Sequence, residues 1–294
     1  MQYKYDISVI IPTYNQEQFV QDTIESAINQ DFSGCYEILI SDDGSTDQTW
    51  EIVKQYEHLD NVTVNRFEQN TSYVKNYNWL IKNTSGKYIA HLDGDDLFYR
   101  SKLQKAFDCL ESDKNCTVAF NKLDVQLLNG CVYQNFNNYD LCNKTFDRNF
   151  FILHRAPFGN SSKVFRSENA ILLDGNLDHW KVFDYWLNLQ HLGFGYARVC
   201  DESELGLYRM YGTSAGESFN DKILKIYNFY ALQEEEYREE INASLGFSII
   251  RKLMKFRPLN KLEISLFLKT SKYLNVKKYF EIMHLTWKMR LQRK

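Results

Sequence analysis

The first hundred residues switch repeatedly between two hydrophobic periods. Ile7 to Ile11 (Ile-Ser-Val-Ile-Ile) is a β-branched run closed by Pro12, which suits a strand buried on both faces of a parallel sheet. Phe19, Val20, Ile24, Ala27 and Ile28 then fall on one helical stripe. Tyr36 to Ser41 predicts a second strand, Asp42 to Asp47 a polar turn, and Trp50, Val53 and Tyr56 a helix. Val62 to Phe67 predicts a third strand, Tyr73 to Ile81 a third helix, and Lys87 to Leu92 a fourth strand ending at Asp93. Strands alternating with helices indicate βαβ units, so the expected class is α/β with a mainly parallel central sheet flanked by helices.

The rhythm changes after about residue 115. Thr117–Leu128 and Val132–Phe136 flank Asn129-Gly130, a hairpin signal. Residues 146–200 mix patterns, 218–242 reads as one amphipathic helix, and two or three short helices follow, interrupted near Pro258. The expected organisation is a domain over 1–217, with halves 1–115 and 116–217, and a helical extension over 218–294.

Charge sharpens that division. The net charge of −3 offers no bulk attraction to nucleic acid, but Arg251 to Lys294 hold thirteen Lys or Arg against two Glu. That local +11 leaves about −14 for the rest, and such a split marks a surface or membrane-contacting tail. Ile249, Ile250, Leu253 and Met254 share a helical face beside Arg251, Lys252 and Lys255, and Val276, Tyr279, Phe280, Met283 and Trp287 do so among further basic residues. Helices of this kind lie on an anionic leaflet, each basic residue adding about 1 kcal/mol, or pack on the acidic domain, or form a homodimer contact. The six cysteines are scattered without a C-x-x-C pair, which predicts reduced thiols and no zinc. Neither a signal peptide nor a membrane-spanning run is expected, so the expected location is cytoplasmic, peripheral on the inner membrane face if the tail binds lipid. N-x-S sequons such as those at Asn70 and Asn160 are expected by chance in so Asn-rich a chain.

Candidate chemistry collects where ligands bind open α/β sheets, at the carboxyl ends of strands. Pro12-Thr13-Tyr14-Asn15 follows the first strand, Asp42-Asp43-Gly44-Ser45-Thr46-Asp47 the second, and Asp93-Gly94-Asp95-Asp96 the fourth. Three carboxylates in four residues repel one another, by roughly 4 kcal/mol for two charges about 4 Å apart at an effective dielectric near 20. A cation relieves that cost, and oxygen-only ligands favour Mg2+ or Mn2+; a loop whose acids face water is the alternative. Asp42 to Asp47 also suits a turn and helix N-cap, with Asp43 placed to accept from a base N–H. An EF-hand is excluded because Phe98 and Gln104 stand where its Gly and Glu are required. The absence of G-x-G-x-x-G and of G-x-x-x-x-G-K disfavours a Rossmann dehydrogenase and a P-loop enzyme. His91, mid-strand, reads as a packed core residue.

Taken in order, these segments resemble family-2 glycosyltransferases of the GT-A fold. Ile7 to Asn15 is similar to that family's opening strand and nucleotide loop, and Ser41 to Asp47 to its D-D-G-S-x-D element. Asn70, Lys75 and Asn76 fall in its N…(R/K)N segment, and Gly86 to Asp96 resembles the strand ending in its D-x-D motif. Asp184 to Leu187 resembles the element bearing its general base, and Tyr208 to Ser214 its Y-R-x-H-x-x-S segment. The resemblance covers roughly residues 6–215. It implies that Pro12, Thr13, Tyr14, Asn15, Asp43, Lys75, Asp93, Gly94 and Arg209 bind a nucleotide sugar. It further implies that Asp95 and Asp93 hold Mn2+ or Mg2+ and that Asp184 is the base, with Asp178 its rival. Trp180 and Trp186, flanking that base, are candidates for acceptor contact. Tyr211 stands where the family carries His, which leaves more of the diphosphate contact to Arg209.

The expected function is therefore inverting transfer of a sugar, from a UDP-sugar by preference, to a hydroxyl of a glycan or lipid-linked glycan in bacterial surface polysaccharide synthesis. Tyr211 keeps a second reading open, a catalytically degenerate nucleotide-sugar-binding scaffold. A nucleotidyltransferase of the same fold would need a Gly-rich loop where Pro12-Thr13-Tyr14-Asn15 stands.

Overall fold

A computed structural model describes the chain except residues 1–2, 128, 134–143, 155–157, 174–182, 211–223, 225, 228–236 and 292–294. The first half builds as its pattern dictates. Strands β1 (Tyr5–Thr13), β2 (Tyr36–Asp42), β3 (Val62–Arg66) and β4 (Gly86–His91) alternate with helices α1 (Val20–Ile28), α2 (Thr49–Val53) and α3 (Tyr73–Asn83). The four strands pair in parallel in the order β3-β2-β1-β4. Ile7, Val9, Ile10 and Ile11 are all fully buried, because helices cover both faces, and each such side chain stabilises by about 1.5–3 kcal/mol.

The second half of the sheet is mixed. After the short β5 (Leu97–Phe98) and helix α4 (Lys102–Ser112) comes β6 (Cys116–Leu127), which turns at Gly130 (φ 79°) into β7 (Val132–Tyr133). The Asn129-Gly130 hairpin thus lies where its dipeptide predicts. Then follow β8 (Thr145–Phe146), α5 (Arg148–His154), β9 (Lys163–Arg166), α6 (Phe183–Leu192) and the long β10 (Tyr196–Met210). The sheet continues β4-β9-β6-β10-β5. β9 runs antiparallel to both β4 and β6, with Phe165 opposite Ile89 on one side and Val118 on the other. A single sheet therefore joins a parallel half to a half containing antiparallel pairs.

The C-terminal segment forms α7 (Arg238–Leu253), α8 (Lys261–Lys269) and α9 (Val276–Leu291). Most of the helix expected over 218–242 lies outside the described residues; its end begins α7. Ile241, Leu245 and Leu266 join the same apolar core as Phe120, Phe165 and Tyr77, and Ala243 and Ile282 pack with Leu153 of α5. Ion pairs Lys252–Glu263 and Lys278–Glu240 tie the three helices together. Their outer side leaves Leu253, Met254, Phe256, Leu268 and Phe280 exposed. Among the described residues no helix is long and apolar enough to cross a membrane, and the five described cysteines are free.

Candidate functional site

A cleft of about 400 Å³ opens over the carboxyl ends of the parallel strands, lined by Pro12, Thr13, Tyr14, Gln16, Asp43, Asn70, Tyr73, Asn76, Asp93 and Asp95. The loops after β1 and β2 are laced into one wall. Ser45 Oγ accepts from the Asn15 N–H (2.9 Å), Asn15 Oδ1 from the Thr46 N–H (2.9 Å), and Thr49 Oγ1 from the Gln16 N–H (2.7 Å). Asn15 adopts φ 52°, a left-handed conformation Asn tolerates. It braces the loop rather than lining the cleft. Gly44 is also left-handed (φ 73°), and a Cβ there would strike the Gln69 and Asn70 backbone.

Asp43 lines the cleft as the residue expected to meet a base. Its Oδ1 accepts from the N–H and hydroxyl of Thr71 (2.9 and 2.7 Å), and its Oδ2 from the Ser72 N–H (3.2 Å). One acceptor position on Oδ2 stays open for a base N–H. The same bonds hold Ser72 at φ 100°, a conformation that costs on the order of 1–3 kcal/mol. Asn76, from α3, donates to the Ser41 carbonyl (2.9 Å), while its Oδ1 is buried without a partner among the described residues. Lys75, one residue earlier, is exposed and is not among the lining residues; on a helix its neighbour points about 100° away.

The four-residue Asp93–Asp96 cluster divides its labour. Asp96 is fully buried, accepting from Ser161 Oγ (2.5 Å) and the Arg209 N–H (2.9 Å). Burial, then the Asp93 and Asp95 carboxylates, push its pKa well up. Asp93 Oδ1 lies 3.0 Å from His91 Nε2. Burial opposes its ionisation, but His91, Lys163 and Ser161 outweigh that and hold its carboxyl low. His91 is buried and stacked on Tyr77, as a core residue should be, yet it also orients Asp93. Asp95 lines the cleft, and burial followed by the Asp93 charge pushes its pKa up to about 6. Gly94 lies behind them, too close to Thr13 and Gln16 for any side chain.

Among the described residues no preformed group of three or more His, Cys, Asp or Glu ligands exists. The donor set nonetheless fits a hard cation. Mg2+ and Mn2+ are commonly held by one or two carboxylates plus substrate phosphates, and Asp93 and Asp95 supply two whose mutual repulsion a cation would relieve.

Arg209 departs from expectation. Its guanidinium donates to the Asp95 carbonyl (3.0 Å) and Asp22 Oδ2 (3.1 Å) and lies 5.2 Å from the Phe19 ring, so it braces the cluster from behind and is not among the lining residues. Tyr208, beside it, feels all four carboxylates: burial, then Asp96, Asp184, Asp93 and Asp95, push its phenol up to about 12. Asp184, in the first turn of α6, is not among the lining residues; Asn160 Nδ2 donates to its Oδ1 (2.5 Å). Close packing and then Asp93 raise its pKa, though the residue keeps an exposed side. Trp186 is partly buried and packs against the main core. Asp178, Trp180 and Tyr211 lie outside the described residues.

Sequence reasoning missed Gln16, Tyr73, Asn160, Ser161 and Lys163. Gln16 was within reach, since it continues the loop after a buried parallel strand and accepts from Thr13 Oγ1 (2.7 Å). The others carry no local pattern.

A fold of GT-A type with polar strand-end loops lining a cleft on the parallel half and a carboxylate cluster after β4 defines a class, and the chain belongs to glycosyl transferase family 2, whose domain matches residues 8–166. It is similar to the putative teichuronic acid biosynthesis glycosyltransferase TuaG of Bacillus subtilis, 31% identical over 131 residues, covering 44% of this chain and 51% of TuaG. It is similar to the UDP-Glc:α-D-GlcNAc-diphosphoundecaprenol β-1,3-glucosyltransferase WfaP of Escherichia coli, 32% identical over 109 residues, covering 37% of this chain and 42% of WfaP. The match thus spans about half the length of these relatives. Among solved structures, Staphylococcus aureus TarS 1-349 in complex with UDP-GlcNAc superposes with a TM-score of 0.63 at 19% identity, covering 90% of this chain and 79% of that one. That likeness is one of fold.

Proposed function

We propose that this chain is an inverting glycosyltransferase that moves a sugar from a nucleoside diphosphate, UDP by preference, to a hydroxyl of a glycan or lipid-linked glycan during bacterial surface polysaccharide assembly. The observation that carries the reading is the grouping of carboxylates: Asp43, Asp93 and Asp95 line one cleft, and the Asp93 charge acts on Asp184 nearby. Thr13, Tyr14, Asn76 and Asp43 bind the nucleoside side, and Asp93 and Asp95 hold Mn2+ or Mg2+, which when bound offsets charge on the departing diphosphate. Asp184 takes the acceptor hydroxyl's proton as that oxygen attacks the anomeric carbon from the face opposite the diphosphate, inverting the centre. The relatives support the substrate class, since WfaP's name specifies UDP-Glc and a diphosphoundecaprenol-linked acceptor.

Calorimetry with UDP, with and without Mn2+, tests the donor half; binding indifferent to the metal would sink it. Asp184→Asn tests the base and should abolish transfer while UDP still binds. We further propose that the helical extension rests on the anionic cytoplasmic leaflet. Leu253, Met254 and Phe256 are exposed beside Arg251, Lys255 and Arg257, a pairing that suits an acidic lipid surface. Co-sedimentation with phosphatidylglycerol vesicles that survives charge reversal at these three basic positions would contradict it.

A further inference from the structure

Asn160 enters the sequence only as a chance sequon, yet the fold buries it at the junction of two carboxylate centres. It opens the segment Asn160-Ser161-Ser162-Lys163 that leads into β9. Lys163 is fully buried, and its ammonium donates to Asn160 Oδ1 (2.7 Å) and to Asn188 Oδ1 (3.0 Å). An ammonium has donors only, so both amides must turn their oxygens toward it and their NH2 groups away. Asn188 accordingly donates to the Phe158 carbonyl (2.8 Å), and Asn160 donates to Asp184 Oδ1 (2.5 Å). Neither amide can flip without setting an NH2 group against a cation.

The next residue faces the other centre. Ser161 Oγ accepts from the Asp93 N–H (3.0 Å) and donates to Asp96 Oδ2 (2.5 Å), and the Ser162 carbonyl accepts from buried Lys102 (2.9 Å). Adjacent residues of one short segment thus hold Asp184 and the Asp93–Asp96 loop.

We propose that Asn160, locked by Lys163, is a positioning residue that aims one oxygen of Asp184 and, through Ser161, sets that carboxylate's place relative to Asp93 and Asp96. The proposal rests on the reading of Asp184 as base. Oδ1 is held by the amide, and in this proposal Oδ2 takes the acceptor's proton. Among the described residues the other charged or titratable groups acting on Asp184 include Asp93, Lys163 and His91, with the Tyr73 and Tyr208 phenols also sensing its charge.

The test uses the full chain and a titration that needs no substrate: the 13C carboxyl resonance of Asp184, assigned by its loss in Asp184→Asn. Asn160→Ala removes a donor to the charged form, so the Asp184 pKa should rise by about one unit. Transfer should fall about 10- to 100-fold, and Lys163→Met should shift both readouts the same way by less. Should the alanine variant fail to fold, near-isosteric Asn160→Asp sets a second carboxylate against Asp184 and should raise its pKa further. An unmoved Asp184 resonance in whichever variant folds overturns the proposal. Full transfer by Asp184→Asn would instead overturn the base assignment, leaving the titration to report separately on whether Asn160 holds the carboxylate.

Discussion

The two halves of the sheet place their polar groups by different means. In the parallel half, β1, β2 and β4 each end in a short polar run, and three such runs build most of the cleft. In the mixed half the groups come from separate elements: the Asn160–Lys163 segment leading into β9, Asp184 on α6 and Arg209 near the end of β10. Each is fixed by what it packs against. A strand-end loop can therefore change without disturbing the core, whereas a change in the second half strikes position and stability together.

Substitutions can break or sharpen that contrast. Phe120 of β6 stacks on Phe158 (4.3 Å between centroids), whose carbonyl accepts from Asn188. Phe120→Ala should cost about 3–5 kcal/mol of stability, measured by urea denaturation, and should lower transfer as well. A large stability loss with normal transfer would separate two properties that the contrast ties together. Asp95→Asn should do the reverse, reducing transfer about 100-fold, or roughly 3 kcal/mol. Because the Asp95 pKa is raised to about 6 in the fold, its charge weakens the metal-free protein as pH rises through roughly 4 to 6. Its removal should then leave thermal stability at pH 7 equal or higher.

Lys102 of α4 lies beneath the junction of the halves, and burial pushes its pKa down to about 7. The unfolded chain binds that proton up to about pH 10.4, so stability should rise with pH above 7 and be lost as pH falls through 7. Between pH 7 and 9 the gain is on the order of 2 kcal/mol, read by denaturation at each pH, and Lys102→Met should flatten the slope. Gly44→Ala should cost about 1–2 kcal/mol, from its left-handed φ and the Gln69 and Asn70 backbone beside it. At the bottom of the scale, Lys54→Ala removes an exposed pair with Glu51 and should change stability by no more than about 0.5 kcal/mol.

The same contrast explains what the sequence makes legible. Strands β1 to β4, helices α1 to α3 and the Asn129-Gly130 turn follow from periodicity and turn chemistry, because each is specified by neighbours in the chain. β9 does not: Lys163-Val164-Phe165-Arg166 is four residues long and begins with a cation that only the fold can show to be buried. Asp184 stood out through a resemblance, but its partner Asn160, 24 residues earlier, shares no local pattern with it. Lys75 and Arg209 show the opposite failure. Both belong to recognisable motifs, yet one is exposed and the other braces Asp95 from behind.

β9 carries a consequence for how activities diversify on this scaffold. Because it is hydrogen-bonded on both sides, to β4 and to β6, it joins the parallel half to the mixed half without a break among the described residues. The spacing between the loop after β4 and the segment that leads into β9 is thus tied to ladder register, a quantity that moves only in whole residues. Substitutions in the loops that line the cleft can reshape its wall while that spacing stays fixed beneath it.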